Sequence, residues 1–138
     1  MNPRERQHRI YEGEEAALGD AGRVFRDVRQ VRAYVADLVA GDWWADRWPH
    51  IEAIPVARTR SERFSGYAVE ETGEIRLRSL REPVVLHELA HVVTPGAGHG
   101  PEFVAAFLAL VRERLGFHAY GALLAELRHR DLMEGGPG

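Results

Sequence analysis

The spacing of apolar residues predicts helices in the first third of the chain and again in its second half. Between Arg23 and Ala40, valines and leucines recur every three or four residues, and Gly41 is a natural terminator. The first twenty residues are charged and carry only a short apolar stripe, which predicts a partly helical segment. A last helix is expected around Gly121–Arg130. Helices therefore flank the middle of the chain on both sides.

The middle of the chain is predicted to form strands. His50 to Arg58 is the first candidate. Gly66–Glu70 and Glu74–Arg78 alternate apolar and polar residues and are expected to form a hairpin around the turn at residues 71–73. The pattern as a whole predicts an α+β fold with a small, mostly antiparallel three-stranded sheet.

Three tryptophans lie between Asp42 and Pro49, where the chain passes from helix to strand. Large aromatic side chains at such a corner most often close the hydrophobic core, and we favour that role. Stacking against a substrate is the alternative.

The segment from Pro83 to Val93 carries the most informative chemistry of the chain. Pro83 suits a first helical turn, and the following residues are apolar nearly all round the helix, so this helix is expected to be buried. Its polar side chains are His87, Glu88 and His91, and buried polar groups must be paired or bind an ion. Residues four apart share a helix face, so His87 and His91 can bind one metal ion. In this HExxH arrangement, the glutamate takes a proton from the water that the metal activates.

The third metal ligand is expected just after this helix. The proline and glycines of residues 94–98 end the helix and turn the chain back, and a second helix is predicted from Pro101 to Leu115. His99 lies at the junction of that turn and the second helix and is the favoured ligand. Glu102 competes with it, because a carboxylate from a following helix can complete a zinc site. Otherwise Glu102 accepts a hydrogen bond from a ligand imidazole or interacts with the helix N-terminus.

Composition favours a catalytic over a structural metal site. The chain contains no cysteine, whereas structural zinc sites usually have four ligands and are rich in cysteine. Three histidines leave a fourth position for water, whose pKa zinc lowers to roughly 7. Zn²⁺ is therefore the expected cofactor, although such a ligand set also binds other first-row metals.

Residues 85–91 (VLHELAH) and 99–103 (HGPEF) together resemble a family of short, single-domain zinc metallohydrolases with an HExxH helix and a downstream HGPEF-like segment. More distantly they are similar to the SprT-type minimal zincins, although this chain lacks the cysteine-rich zinc ribbon of many SprT-type proteins. The resemblance covers about residues 83–107. It implies a minimal zincin-like metalloprotease fold, in which the sheet packs on the HExxH helix and flanking helices. It also implies hydrolysis of peptide bonds, with His87, His91 and His99 as zinc ligands and Glu88 as general base.

The leading hypothesis is a zinc metallopeptidase or related amide hydrolase. Glu88 would deprotonate the activated water and pass the proton to the leaving amine, while a peptide lies along an edge strand of the Gly66–Arg78 hairpin. His118, Tyr120 and Tyr67 are candidate donors to the oxyanion, although each residue type is more often structural. The alternative is a catalytically silent zinc-binding module retained for regulation or interaction.

Charge bears on the choice of partners. Six arginines around the predicted sheet suggest a nucleic-acid-associated, SprT-like protease, but interleaved glutamates favour a solvated mixed-charge surface. The net charge of −3 gives no general attraction to nucleic acid or acidic membranes, so a peptide or protein substrate is the expected partner. The arginines are Arg58, Arg60, Arg63, Arg76, Arg78 and Arg81.

Length predicts a single domain over residues 1–138, with a charged N-terminal segment at 1–20 and a flexible tail at 131–138. The charged start lacks the apolar core of a secretory signal, and no apolar run reaches the length of a membrane span. Together with the absence of cysteine, these features predict a cytoplasmic protein.

Overall fold

The computed structural model describes residues 1–133 and has the predicted α+β composition. Its internal contacts form two compact units, one spanning Arg23–Val93 and the other combining Met1–Gly22 with the segment from Thr94 onward. In chain order the elements are α1 (Pro3–Leu18), α2 (Val28–Ala40), α3 (Asp42–Arg47), β1 (Val56–Arg58), β2 (Gly66–Val69), β3 (Glu74–Leu77), α4 (Glu82–Val93), α5 (Pro101–Leu115) and α6 (Phe117–His129).

The three strands form one mixed sheet in the order β1-β3-β2. β2 and β3 pair antiparallel as the predicted hairpin, and the carbonyl of Val69 accepts a hydrogen bond from Gly73 N at 2.9 Å in the turn. Gly73 has a φ of +69°, a conformation that glycine adopts without strain. β1 pairs with β3 in parallel, so the expectation of a mostly antiparallel sheet is wrong. The chain reverses twice between β1 and β3, and β3 rather than β2 becomes the neighbour of β1.

The first strand is shorter than predicted, because only Val56–Arg58 pairs, rather than the whole of His50–Arg58. Pro55 has no N–H to donate to a ladder, and its carbonyl accepts from Ile75 N just before the strand begins. Residues 50–55 are therefore a connection rather than part of the sheet.

Trp44 belongs to the core, as the favoured interpretation of the tryptophan cluster predicted. Its side chain is buried, its indole N–H donates to the carbonyl of Ile51 at 3.0 Å, and its ring meets that of Trp48 edge to face. The indole thereby holds the connection that leads from α3 to β1.

Helix α2 begins at Val28, five residues later than predicted. The side chain of Asp27 caps it by accepting a hydrogen bond from Gln30 N at 3.0 Å. The preceding residues are extended instead: Phe25 N donates to the carbonyl of Leu80 at 2.8 Å, and Val24 is 72% exposed. Apolar spacing alone predicted a helix through this segment. The N-cap at Asp27 and the pairing of residues 23–25 with residues 80–82 make the helix begin later.

A buried polar cluster anchors the start of α4. The carboxylate of Glu82 is buried and accepts hydrogen bonds from the Tyr34 hydroxyl at 2.6 Å and from Arg23 N at 3.2 Å. The backbone N–H of Glu82 donates to the carbonyl of Arg23 at 2.9 Å. A carboxylate in the first turn also interacts favourably with the helix dipole. These contacts fix the entry of the helix that carries the HExxH motif.

We expect Tyr34→Phe to lower the free energy of unfolding by about 1.5–3 kcal/mol, because it removes a buried hydrogen bond to a charged group. Urea denaturation monitored by circular dichroism measures this change. Tyr120→Phe is the matched control, since Tyr120 is only half-buried, and it should change stability by less than about 0.5 kcal/mol. Equal effects of the two variants would contradict the anchoring role.

The unit formed by the chain ends consists of α1, α5 and α6. α1 is helical throughout Pro3–Leu18 rather than only in part, and Asn2 caps it. α5 has the predicted bounds, and α6 begins at Phe117 rather than near residue 121, because Gly116, with a φ of +95°, reverses the chain immediately. Leu132 is buried, while residues 134–138 of the expected tail, including its glycine-rich end, lie outside the described residues.

Within residues 1–133, no helix combines the length and the apolar character that crossing a membrane requires.

Candidate metal centre

The HExxH motif lies on helix α4, which packs against β2 and β3. Ile75 and Leu77 of β3 are buried on the sheet face that packs against this helix. His87 is 2% exposed and Glu88 is 4% exposed, whereas His91, one turn later, is half-buried. The two imidazole rings lie on one helix face with their centroids 5.0 Å apart. The prediction of a buried helix with a histidine pair on one side is therefore confirmed.

Glu88 packs against the first residue of β2. A methyl group added at Gly66 would lie 3.3 Å from Cγ of Glu88, and 3.1 Å from both the carbonyl of Arg76 and Cδ2 of Leu77. Glycine at this position lets the strand approach the helix closely, which brings the Glu88 side chain beside the end of an edge strand. This role was not predicted from the sequence, although a glycine at the start of a predicted strand is a signal for a close backbone approach.

If Glu88 acts as the predicted general base, Gly66→Ala should reduce kcat about tenfold, because displacing a general base by a fraction of an ångström is costly. Metal affinity should not change, since Gly66 contacts the glutamate rather than a ligand. Kinetics of the metal-loaded variant, with a metal titration beside it, test this. Gly121→Ala is the control, because an added methyl there meets nothing within 4 Å. A loss of turnover in both variants would argue against a specific effect at Glu88.

His99 precedes α5, in a turn shaped by glycine. Gly98 has a φ of +57°, and Gly100 N donates to the carbonyl of Ala97 at 3.0 Å. The imidazole of His99 meets two aromatic rings edge to face, that of Phe103 at a centroid distance of 5.0 Å and that of Tyr11 at 5.8 Å. The ring is thus held between aromatic neighbours from two helices.

The three predicted ligands come together. One nitrogen each from His87, His91 and His99 lies within 4.8 Å of the other two. Zinc–nitrogen bonds of about 2.0–2.1 Å place tetrahedral ligands roughly 3.4 Å apart, so small side-chain rotations suffice to bring the three nitrogens onto one ion. Three neutral imidazoles also suit zinc and neighbouring transition metals. The residues present therefore fit a metal ion, and the geometry does not identify which one.

Glu102 does not belong to this group of potential ligands. It is exposed in the first turn of α5, where a carboxylate interacts favourably with the helix dipole. Of the two candidates for third ligand, the geometry favours His99.

Of the predicted oxyanion donors, Tyr67 is placed unfavourably. Tyr67 alternates with Gly66 along β2 and lies opposite Arg76, on the sheet face away from α4. There the guanidinium of Arg76 donates to its hydroxyl and lowers the pKa of Tyr67. His118 is exposed on α6. The ring of Tyr120 lies against the ring of Phe117 and the guanidinium of Arg112. Tyr11, which is not among the predicted donors, contacts the ring of His99 edge to face.

Two of the arginines near the sheet, Arg76 and Arg78, contact neighbouring polar groups. Arg76 pairs with Glu74 and contacts Tyr67, and the guanidinium of Arg78 donates to the carbonyl of Phe64 at 3.1 Å. The Arg76–Glu74 pair is one example of the interleaved charges, and whether this surface binds nucleic acid stays a prediction.

Comparisons with family models, with curated proteins and with solved structures returned no match to this chain.

Proposed function

We propose that this chain is a zinc-dependent metallopeptidase with a minimal zincin-like arrangement. The observation that carries the proposal is the convergence of His87, His91 and His99 within 4.8 Å, with the buried Glu88 next to His87 on the same helix. The packing of α4 against β2 and β3 accords with the architecture that the resemblance implies.

The three histidines and Glu88 have different tasks in the proposed reaction. The three histidines would hold the metal through neutral ring nitrogens. A bound zinc ion supplies Lewis acidity, which polarises a carbonyl and lowers the pKa of a water molecule. Glu88 would accept a proton from the attacking water and would then pass it to the leaving amine. Burial of Glu88 against Gly66 restricts its rotamers, so its carboxylate is held in place before the substrate arrives.

The position of β2 favours an extended peptide as substrate. The strand order places β2 at an edge of the sheet, and its first residue contacts Glu88. An extended peptide can add to such an edge through backbone hydrogen bonds, which would bring its amide bonds close to the general base.

Cleavage of a proteome-derived peptide library tests this proposal. The protein is stripped with a chelator, reloaded with Zn²⁺, and the products are identified by mass spectrometry. We expect cleavage by the reloaded protein and none by the stripped protein. Stoichiometric zinc binding without any cleavage would instead favour the silent zinc-binding module, and absence of zinc binding would contradict both.

A further inference from the structure

Arg6 is a buried cation on α1, far in sequence from the histidines. Its side chain is 8% exposed. Nε donates a hydrogen bond to the backbone carbonyl of His99, and a terminal nitrogen donates to the carbonyl of Leu132 at 3.4 Å. A buried guanidinium is costly unless its N–H groups are satisfied, so these acceptors hold it firmly in one place. One of these acceptors is the main chain of His99, a proposed metal ligand.

The contacts of His99 explain why its backbone needs an anchor. It follows Gly98, whose φ is +57°, and it precedes the first turn of α5, so it lies in a turn rather than in a helix or a strand. Tyr11 and Phe103 restrict the imidazole ring, and Arg6 restricts the main chain behind it. α1 therefore supplies two of these three restraints.

We propose that Arg6 is a positioning residue for the third metal ligand, so that the N-terminal helix sets the metal affinity of the site. The inference rests on the proposed metal site. Partners behind a ligand orient it before the metal binds, and their removal typically reduces metal affinity about 10–100-fold. Arg6 would act on the main chain of the ligand rather than on its ring nitrogen.

The chain provides a matched control on the same helix. Arg9 also ties α1 to the end of α6, since it donates to the carbonyl of Arg130 at 3.1 Å, and it pairs with Glu5. Neither of these bonds involves His99. Arg9→Ala therefore removes a comparable attachment of α1, whereas Arg6→Ala also removes the anchor of the ligand.

Titration of the full-length protein with Co²⁺, followed by its visible absorption, measures the effect. We expect Arg6→Ala to weaken Co²⁺ binding about 10–100-fold and to change the intensity of the bands, because the ligand geometry loosens. Arg9→Ala should bind within about twofold of wild type. Wild-type affinity and spectrum in Arg6→Ala would overturn the inference, as would an equal loss in both variants.

A double-mutant cycle separates positioning from general destabilisation. In a protein that already carries His99→Ala, the further change Arg6→Ala should have no effect on Co²⁺ affinity, because the ligand that Arg6 positions is gone. An additive loss would mean that Arg6 acts elsewhere. If Arg6→Ala does not fold by circular dichroism, Arg6→Lys carries the same test, since a single ammonium cannot occupy both donor positions of the guanidinium.

The outcomes distinguish this inference from the proposed function. Wild-type protein that binds Co²⁺ but cleaves no peptide leaves the role of Arg6 standing and contradicts the peptidase. Wild-type protein that cleaves peptides, together with an Arg6→Ala variant that binds Co²⁺ normally, supports the peptidase and contradicts the role of Arg6.

Discussion

Replacement of Glu88 by glutamine is expected to reduce peptide cleavage about 10²–10⁴-fold while zinc remains bound. Glutamine has nearly the shape of glutamate but cannot accept a proton at neutral pH, so the variant removes the general base and little else. The tight packing of Glu88 against Gly66 makes this isosteric change preferable to alanine, which would leave a cavity. Cleavage of a reporter peptide and the zinc content by elemental analysis provide the two measurements.

Glu102→Gln is the matched control for this variant. It makes the same chemical change on the next helix, at an exposed position outside the group of potential ligands. Its activity should stay within about twofold of wild type, as expected of a surface substitution. Cleavage by Glu88→Gln at the wild-type rate would exclude the proposed mechanism even if the protein binds zinc.

The second large effect is expected at the third ligand. His99→Ala should weaken zinc binding by more than about 100-fold, because losing a direct ligand costs more than losing a residue behind it, for which about 10–100-fold is typical. The fold should survive, since His99 is only half-buried. Competition with a metal-binding dye of known affinity measures the change.

Glu102→Ala tests the competing assignment in the same experiment. We expect it to bind zinc as wild type does, because Glu102 lies outside the histidine group. Full zinc occupancy in His99→Ala together with its loss in Glu102→Ala would reverse the assignment. Weak binding in both variants would instead point to a site that needs both residues.

Much of the local structure could be predicted from the chain alone, because local rules decide it. Pro101 and Gly116 set the bounds of α5, and the turn before Gly73 sets the hairpin. The buried character of α4 followed from its apolar residues. Where local apolar spacing competed with a cap or a proline, the boundaries were wrong, as at Val28 and Val56.

The strand order could not be predicted, because a hairpin can join a preceding strand through either of its members. Contacts between segments distant in sequence could not be predicted either. Nothing in the local pattern links Tyr34 to Glu82 or Arg6 to His99, since each pair meets only in the folded chain. These contacts satisfy buried polar groups, and their partners are chosen by packing rather than by sequence separation.

The sequence by itself determined which side chains the proposed chemistry would use. The helical period places His87 and His91 on one face, and the breakers after them place His99 at the start of the next helix. Only the tertiary structure decided what surrounds that chemistry: Gly66 against Glu88, and Arg6 behind His99. The physical reason is one of range, since helix period and turn preference act over a few residues, whereas packing and the satisfaction of buried charge depend on the whole fold.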